Sequence, residues 1–326
     1  MWTAGANTPP ASEMISMRNG LLHVPTRTLH PHTPRFFTHY ALAFDYDPDA
    51  AAPQCWLDFL GQLWPEDPSA IATLQEMIGY ILGGDTRQQK MFLLVGPRRG
   101  GKGTIGRVLT GLLGVHNVAC PTMAGLATNF GLQPLIGRPL GLISDARLSK
   151  RSATNVVVER LLSISGEDSI TIDRKYKEPW TGRLPTRLVI LTNELPRLSD
   201  SSGALASRFI VFVLTKSFLG HEDPTLTERL LGEAPGIFNW GLEGLDRLNA
   251  RGHFEPPTSG REAMQQLEDL ASPISAFVRD YCEVGRECQV KVDELWEAWK
   301  AWCAADNRGP GSKALFGRDL RAAVPT

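Results

Sequence analysis

KMFLLVGPRRGGKGTIGRVLTGLLG, residues Lys90–Gly114, sets a short apolar run, a glycine-rich turn and an amphipathic segment in direct succession. The turn nearly spells a phosphate-binding loop, G-x-x-x-x-G-K followed by Ser or Thr. Gly96, Gly101 and Lys102 fit that spacing, but Gly103 follows the lysine and the hydroxyl comes one place late, at Thr104. The flanks favour the functional reading. A phosphate loop needs a buried strand before it and a helix after it. MFLLV has the length and composition of such a strand. GTIGRVLTGLLG places Ile105, Val108, Leu109 and Leu112 on one helical face, with Gly114 as a stop. Backbone N–H groups at such a helix start would cradle phosphate oxygens, and Lys102 would sit against the terminal phosphates. The expected nucleotide-binding residues are therefore Gly96, Pro97, Arg98, Arg99, Gly100, Gly101, Lys102, Gly103 and Thr104. Glycine offers magnesium no hydroxyl, so Thr104 becomes the nearest candidate ligand, with water completing the shell.

Working outward, residues 90–214 carry further short apolar runs, LGLIS, RLVILT and RFIVFVL, with helical patterns between them. Buried strands alternating with helices imply an α/β domain with a parallel sheet covered on both faces. LGLIS ends at Asp145, a strand-tip carboxylate placed to hold magnesium through water and to polarise an attacking water. RLVILT ends at Asn193, a polar amide able to orient that water. Asn before a turn is also common for local reasons. Arg208 opens RFIVFVL and Arg197 lies nearer the preceding strand tip; either could supply charge to a transition state from a neighbouring subunit.

Before the central domain, GLLHV and FFTHYALAF read as β-like, and residues 54–83 read as helices from the spacing of Trp56, Phe59, Leu60 and Leu63, then Ile71, Leu74, Ile78 and Ile81. After it, GHFEPPTSG reads as a linker. PISAFVRDYC, VDELWEAWKAWCAA and SKALFGRDLRAA follow as three amphipathic helices, with the turn NRGPG before the last. That is the outline of a helix-turn-helix, and it stops where a wing would begin. The expected division is a disordered lead-in at 1–16, a β/helical collar at 17–88, an ATPase domain at 89–250, a linker at 251–261, and an incomplete winged-helix-like domain at 262–326.

Composition narrows the class. The chain has 326 residues, 42% hydrophobic and 21% charged, which suits a folded globular protein of two or three domains. A net charge of −1 excludes a global basic field, so nucleic acid would need a local patch. No 18-residue apolar run and no signal sequence is present, which leads us to expect a cytoplasmic protein with no membrane partner. The five cysteines are scattered and read as thiols of a reducing compartment. His23, His30, His32 and His39 are spread across prolines and read as structural, not as metal ligands.

Five motifs in order, GPRRGGKGT, LISDAR, SGEDSITIDRKYKEPW, LTNELP and ALASRF, resemble the superfamily-three helicases, in particular the helicase part of phage, plasmid and poxvirus primase–helicases. NGLLHVPTRTLHPHTP and EAPGIFNWGLEGLDRL are similar to the phage branch, and the resemblance runs from about residue 17 to the C-terminus. It implies an AAA+ fold with a five-stranded parallel sheet. It also implies ATP and Mg²⁺ as cofactors, a homo-hexameric ring, and ATP-dependent 3′ to 5′ movement on single-stranded DNA in replication within a bacterial host or infected cell. On that basis Lys102 matches the loop lysine, Asp145 the second acidic motif, Asn193 the sensor asparagine, and Arg208 best fits the arginine finger. Two departures stand out. Ser144 precedes a single acid where many relatives carry a pair or a Glu, leaving the general base open. No primase precedes residue 17, so helicase activity without primer synthesis is expected, with a separate primase as a candidate partner.

The family's DNA contact is a β-hairpin before the sensor strand. Here SITID alternates like a strand, and RKYK gathers Arg174, Lys175 and Lys177 around Tyr176, with Trp180 nearby. Cations suit phosphates and the ring can stack on bases. A second candidate surface, for duplex DNA or for protein, is the last helix, with Ser312 as its cap and Lys313, Arg318 and Arg321 along it. Trp296, Trp299 and Trp302 read as packing. Two other functions remain open: another DNA motor for packaging or loading, and an initiator that binds ATP with little turnover.

Overall fold

In the computed structural model, which describes residues 8–146, 151–198, 200, 203–285, 287–305 and 308–324, the chain begins with a small antiparallel meander. It comprises β1 (Met14–Met17), β2 (Gly20–His23) and β3 (Thr28–His30), paired in that order. β1 lies inside the expected disordered lead-in, because Met14, Ile15 and Ser16 are buried. GLLHV forms β2, but FFTHYALAF forms no regular strand. Its backbone instead runs beside β1: Leu42 donates to Ser16 O at 2.8 Å, and Phe44 O accepts from Arg18 at 3.1 Å.

Helix α1 (Gln54–Leu63) buries Trp56, Phe59, Leu60 and Leu63, as their spacing requires. Helix α2 (Pro68–Leu82) starts with Pro68 in its first turn, and the Asp67 carboxylate accepts from the Ala70 N–H. Next come β4 (Met91–Val95), α3 (Lys102–Leu113), β5 (Val118–Ala119), α4 (Met123–Leu126), β6 (Leu140–Ser144) and α5 (Arg151–Ser165). A two-stranded ribbon, β7 (Ile170–Arg174) and β8 (Lys177–Gly182), precedes β9 (Arg187–Thr192), α6 (Ala204–Ser207) and β10 (Phe209–Val213).

The four apolar runs become β4, β6, β9 and β10. With β5 they form a five-stranded, wholly parallel sheet in the order β10-β4-β9-β6-β5. Both faces are buried. Phe92, Leu94, Leu142, Val189, Leu191, Ile210 and Phe212 point into one core, together with α1, α2, α3 and the meander. Met91, Leu93, Val95, Ile143, Leu188, Ile190, Phe209 and Val211 point into the other, with α5. This double burial explains why these strands read as unbroken apolar runs without alternation.

The chain returns through α7 (Leu226–Gly232) and α8 (Ala234–Arg251), and α8 lies along α2. The helices approach closely at Gly79, where an added Cβ would stand 2.1 Å from the Gly241 carbonyl oxygen. The collar therefore shares its core with the sheet and is not a separate body. The 251–261 stretch also differs from the expected linker. Phe254 is buried, the Thr73 hydroxyl donates to Glu255 O, and the Ser259 N–H donates to Asp67, so this stretch is tied across α2. Helix α9 (Arg261–Ala271) buries Leu267 in the sheet's second core. The C-terminal bundle starts later than expected, at α10 (Pro273–Tyr281), and continues with α11 (Val292–Ala305) and α12 (Lys313–Ala323) around Ile274, Phe277, Trp299, Cys303 and Phe316. Residues 1–7 of the lead-in and Asn307 of the NRGPG turn lie outside the described residues. Among the described residues, no helix is long and apolar enough to cross a membrane.

Candidate functional site

The loop between β4 and α3 opens at the C-terminal end of the parallel sheet, where ligands of α/β folds bind. Its shape is set by a turn in which Gly100 N–H donates to Pro97 O, Arg99 has φ 57° and Gly101 has φ 90°. The segment after β10 pins the loop: Phe218 N–H donates to Arg99 O at 3.0 Å and the Ser217 hydroxyl to Arg98 O at 2.8 Å. Lys102, the first residue of α3, is buried. Its ammonium donates to Gly96 O at 2.6 Å, Pro97 O at 2.7 Å and Asn193 Oδ1 at 3.2 Å. Burial lowers its pKa below the ordinary lysine value of 10.5. The loop of β4 and the tip of β9 are thus joined by one buried cation.

These residues line a cavity of about 1390 Å³. The loop from Arg98 to Thr104, with Asn193, forms one side. Asp58, Phe59 and Gln62 of α1 and the stretch from Phe218 to Thr227 form the rest. The α1 wall was missed because its spacing reads as core packing alone. Arg107 was also missed, although its position four residues after Gly103 puts both on one face of the helix. Its Nη2 donates to the Thr104 hydroxyl at 3.0 Å and its Nε to the Thr227 hydroxyl at 3.0 Å.

The donor set does not form a protein-ligated magnesium site. Gly103 has no hydroxyl, and a metal on the Thr104 hydroxyl would sit against the Arg107 guanidinium. Asp145 is exposed, has φ 77°, and does not line the cavity; its N–H donates to Leu191 O of β9. Among the described residues there is no group of three or more His, Cys, Asp or Glu side chains able to hold a metal.

Arg208 lies at the other end of the sheet. Met91 N–H donates to Arg208 O where β4 and β10 begin, and the Arg208 guanidinium bonds to Gln89 and to Ser165 O. Five residues of strand, roughly 16 Å, separate it from the loop of its own chain. Arg197 is exposed beyond β9, on the same end as Asn193.

RKYK forms the tip of the β7–β8 ribbon, with Arg174 paired to Lys177. Tyr176 takes φ 59° and is 92% exposed, which leaves its ring open to a partner. Lys175 Nζ lies 5.2 Å from that ring's centre, and Lys175 N–H is held by Gln133 Oε1 at 3.1 Å. Lys177 is exposed, while Arg174 Nε bonds to Glu178 O. Trp180 packs against the second core and serves as an anchor for the ribbon.

In α12, the Ser312 hydroxyl caps the helix as expected. Lys313 pairs with Asp293, and Arg318 with Asp319 at 3.0 Å. Trp299 stacks on Trp302, and Trp296 lies against Phe316, so the tryptophans build the bundle's core.

A profile described as D5 N terminal like matches residues 7–65. A family of unknown function, DUF5906, matches residues 94–208, which takes in the loop, both strand tips and the ribbon. The C-terminal region of NrS-1 in an apo structure superposes with a TM-score of 0.57 at 14% identity, over 85% of this chain and 65% of that one. The A form of the same region gives 0.55 at 16% identity, over 86% and 64%. At this identity the likeness is one of fold. The chain spans about 65% of the length of the solved chains it matches.

Proposed function

We propose that this protein is an ATP-driven DNA motor of the superfamily-three helicase type, acting in phage- or plasmid-type replication. The observation that carries the reading is the contact of Lys102 with Asn193 at the mouth of the cavity. It brings the glycine-rich loop and a polar strand tip to one point, as phosphoryl transfer to water requires. The D5 N terminal like match and the fold shared with the NrS-1 region support a replication role.

In this reading the loop amides and Lys102 hold the ATP phosphates, and Lys102 leaves its loop carbonyls to do so. Asn193 orients a water in line with the γ-phosphorus. Asp145, at the neighbouring tip of β6, is our candidate to receive the water's proton and must turn into the cavity, which it does not line, to do so. The bond from the γ-phosphorus to its bridging oxygen breaks, giving ADP and phosphate. Arg208 of a neighbouring copy steadies the charge that develops. The exposed RKYK tip grips single-stranded DNA, and movement of the ribbon draws the strand along.

Steady-state ATP hydrolysis with and without single-stranded DNA tests this. Turnover should rise with DNA and vanish in Lys102→Ala, followed by strand displacement on a forked duplex. Turnover indifferent to DNA would replace the helicase with another ATPase. Tight ATP binding without turnover would favour an initiator.

A further inference from the structure

Among the described residues, Arg107 is a cation without a carboxylate partner. It lines the cavity, and among the described residues its hydrogen bonds go to two hydroxyls, Thr104 and Thr227. Two neighbouring arginines differ, Arg99 pairing with Glu222 at 3.3 Å and Arg229 with Asp223, while Arg98 and Lys102 also have no carboxylate partner among the described residues. A guanidinium has five N–H donors, and these two bonds leave three for another acceptor. Its Nη1 stands 3.4 Å from where a Cβ on Gly103 would be. A side chain there would fit at ordinary contact distance, so the guanidinium lies beside the place where a hydroxyl would otherwise hold the metal. Among the described residues no carboxylate pairs with it, and it faces a cavity whose carboxylates Glu222 and Asp223 are taken by Arg99 and Arg229. Bonds to Thr104 on its own helix and Thr227 on α7 fix its fork from two sides.

We infer that Arg107 is a second phosphate-binding cation of this site, taking in the same chain the place of a hydroxyl-held magnesium, so that ATP binding here depends little on the metal. The inference rests on the nucleotide reading above. Guanidinium and phosphate form charge-assisted bonds of the strong kind, and Arg107 is positioned for the oxygens that Lys102 does not reach.

The test is the Kd for ATP with magnesium and with EDTA, measured on the full chain. Wild-type Kd should change by less than about 5-fold on removing the metal, well below the 10–100-fold that one charged hydrogen-bonding group is worth. Arg107→Ala should weaken magnesium-free binding by about 10–100-fold and make it metal-dependent. Arg107→Lys should recover part of the loss. Arg107 is exposed, and an unchanged melting temperature in Arg107→Ala would confirm that the effect is local. A wild-type protein that loses ATP binding in EDTA overturns the inference, as does Arg107→Ala binding like wild type in both buffers. A wild type that binds ATP in neither buffer instead overturns the nucleotide reading itself.

Discussion

Lys102 keeps its charge where little water remains to solvate it. Burial lowers its pKa from 10.5, while a bound phosphate would raise it again. ATP then binds the protonated form. Affinity should be full below the lowered pKa and should fall as pH climbs through it towards 10.5. Lys102→Arg should abolish that fall, since guanidinium stays charged; titrating ATP affinity against pH checks both. Gly101 tests the loop's shape. It has φ 90°, and an added Cβ would lie 2.8 Å from Leu63 Cδ2. Gly101→Ala should cost about 1–3 kcal/mol of stability through strain and overpacking, seen in denaturant unfolding. Gly103→Ser meets nothing nearer than Arg107 at 3.4 Å and should fold normally.

At the scale of elements, the β7–β8 ribbon presents a tip whose exposed Lys175, Tyr176 and Lys177 have no core to serve. If it contacts DNA, Lys175→Ala with Lys177→Ala should weaken binding and flatten its salt dependence by about 1.4 in log–log slope, or 0.7 per phosphate contact on a single strand. Tyr176→Ala should cost about 1–3 kcal/mol of DNA affinity if its ring stacks on a base. Titrations of a labelled oligonucleotide across salt concentrations separate the two, because stacking should leave the slope alone. A double lysine variant with an unchanged slope would rule the ribbon out. Trp180 belongs to a different category: its replacement should lower the melting temperature first, since it packs on the second core.

The whole molecule is held by a seam between α2 and α8 and by a five-stranded parallel sheet. Glu76 is buried at 2% exposure and bonds Arg247 at 2.8 Å and Arg251 at 2.6 Å. Glu76→Ala should cost about 2 kcal/mol, less than the 3–5 of a fully buried pair, because Arg247 is 40% exposed and can find water. Arg208 and Lys102 occupy opposite ends of the sheet, so neither can complete the other's site within one chain. If ATP is hydrolysed between copies, specific activity should rise with protein concentration. Mixing Lys102→Ala with Arg208→Ala should restore turnover that neither variant has alone. No recovery would count against Arg208, and the same mixing with Arg197→Ala would then test its rival.

The strand runs, the loop between β4 and α3, the three-helix tail and the basic hairpin were all legible in the sequence. Each depends on local periodicity or on glycine's freedom at fixed spacing, and neighbours along the chain set both. Contacts distant in sequence were not legible. Asn193 beside the loop was expected from its strand tip, but only the tertiary structure showed its bond to Lys102, placed α1 as a wall of the cavity, and tied the 251–261 stretch across α2. It also set the Arg107 guanidinium beside Gly103. Such pairings are chosen by which surfaces lose water together when the sheet and its helices pack. The pattern of residues gives each element its apolar face, and packing decides which polar side chains then meet.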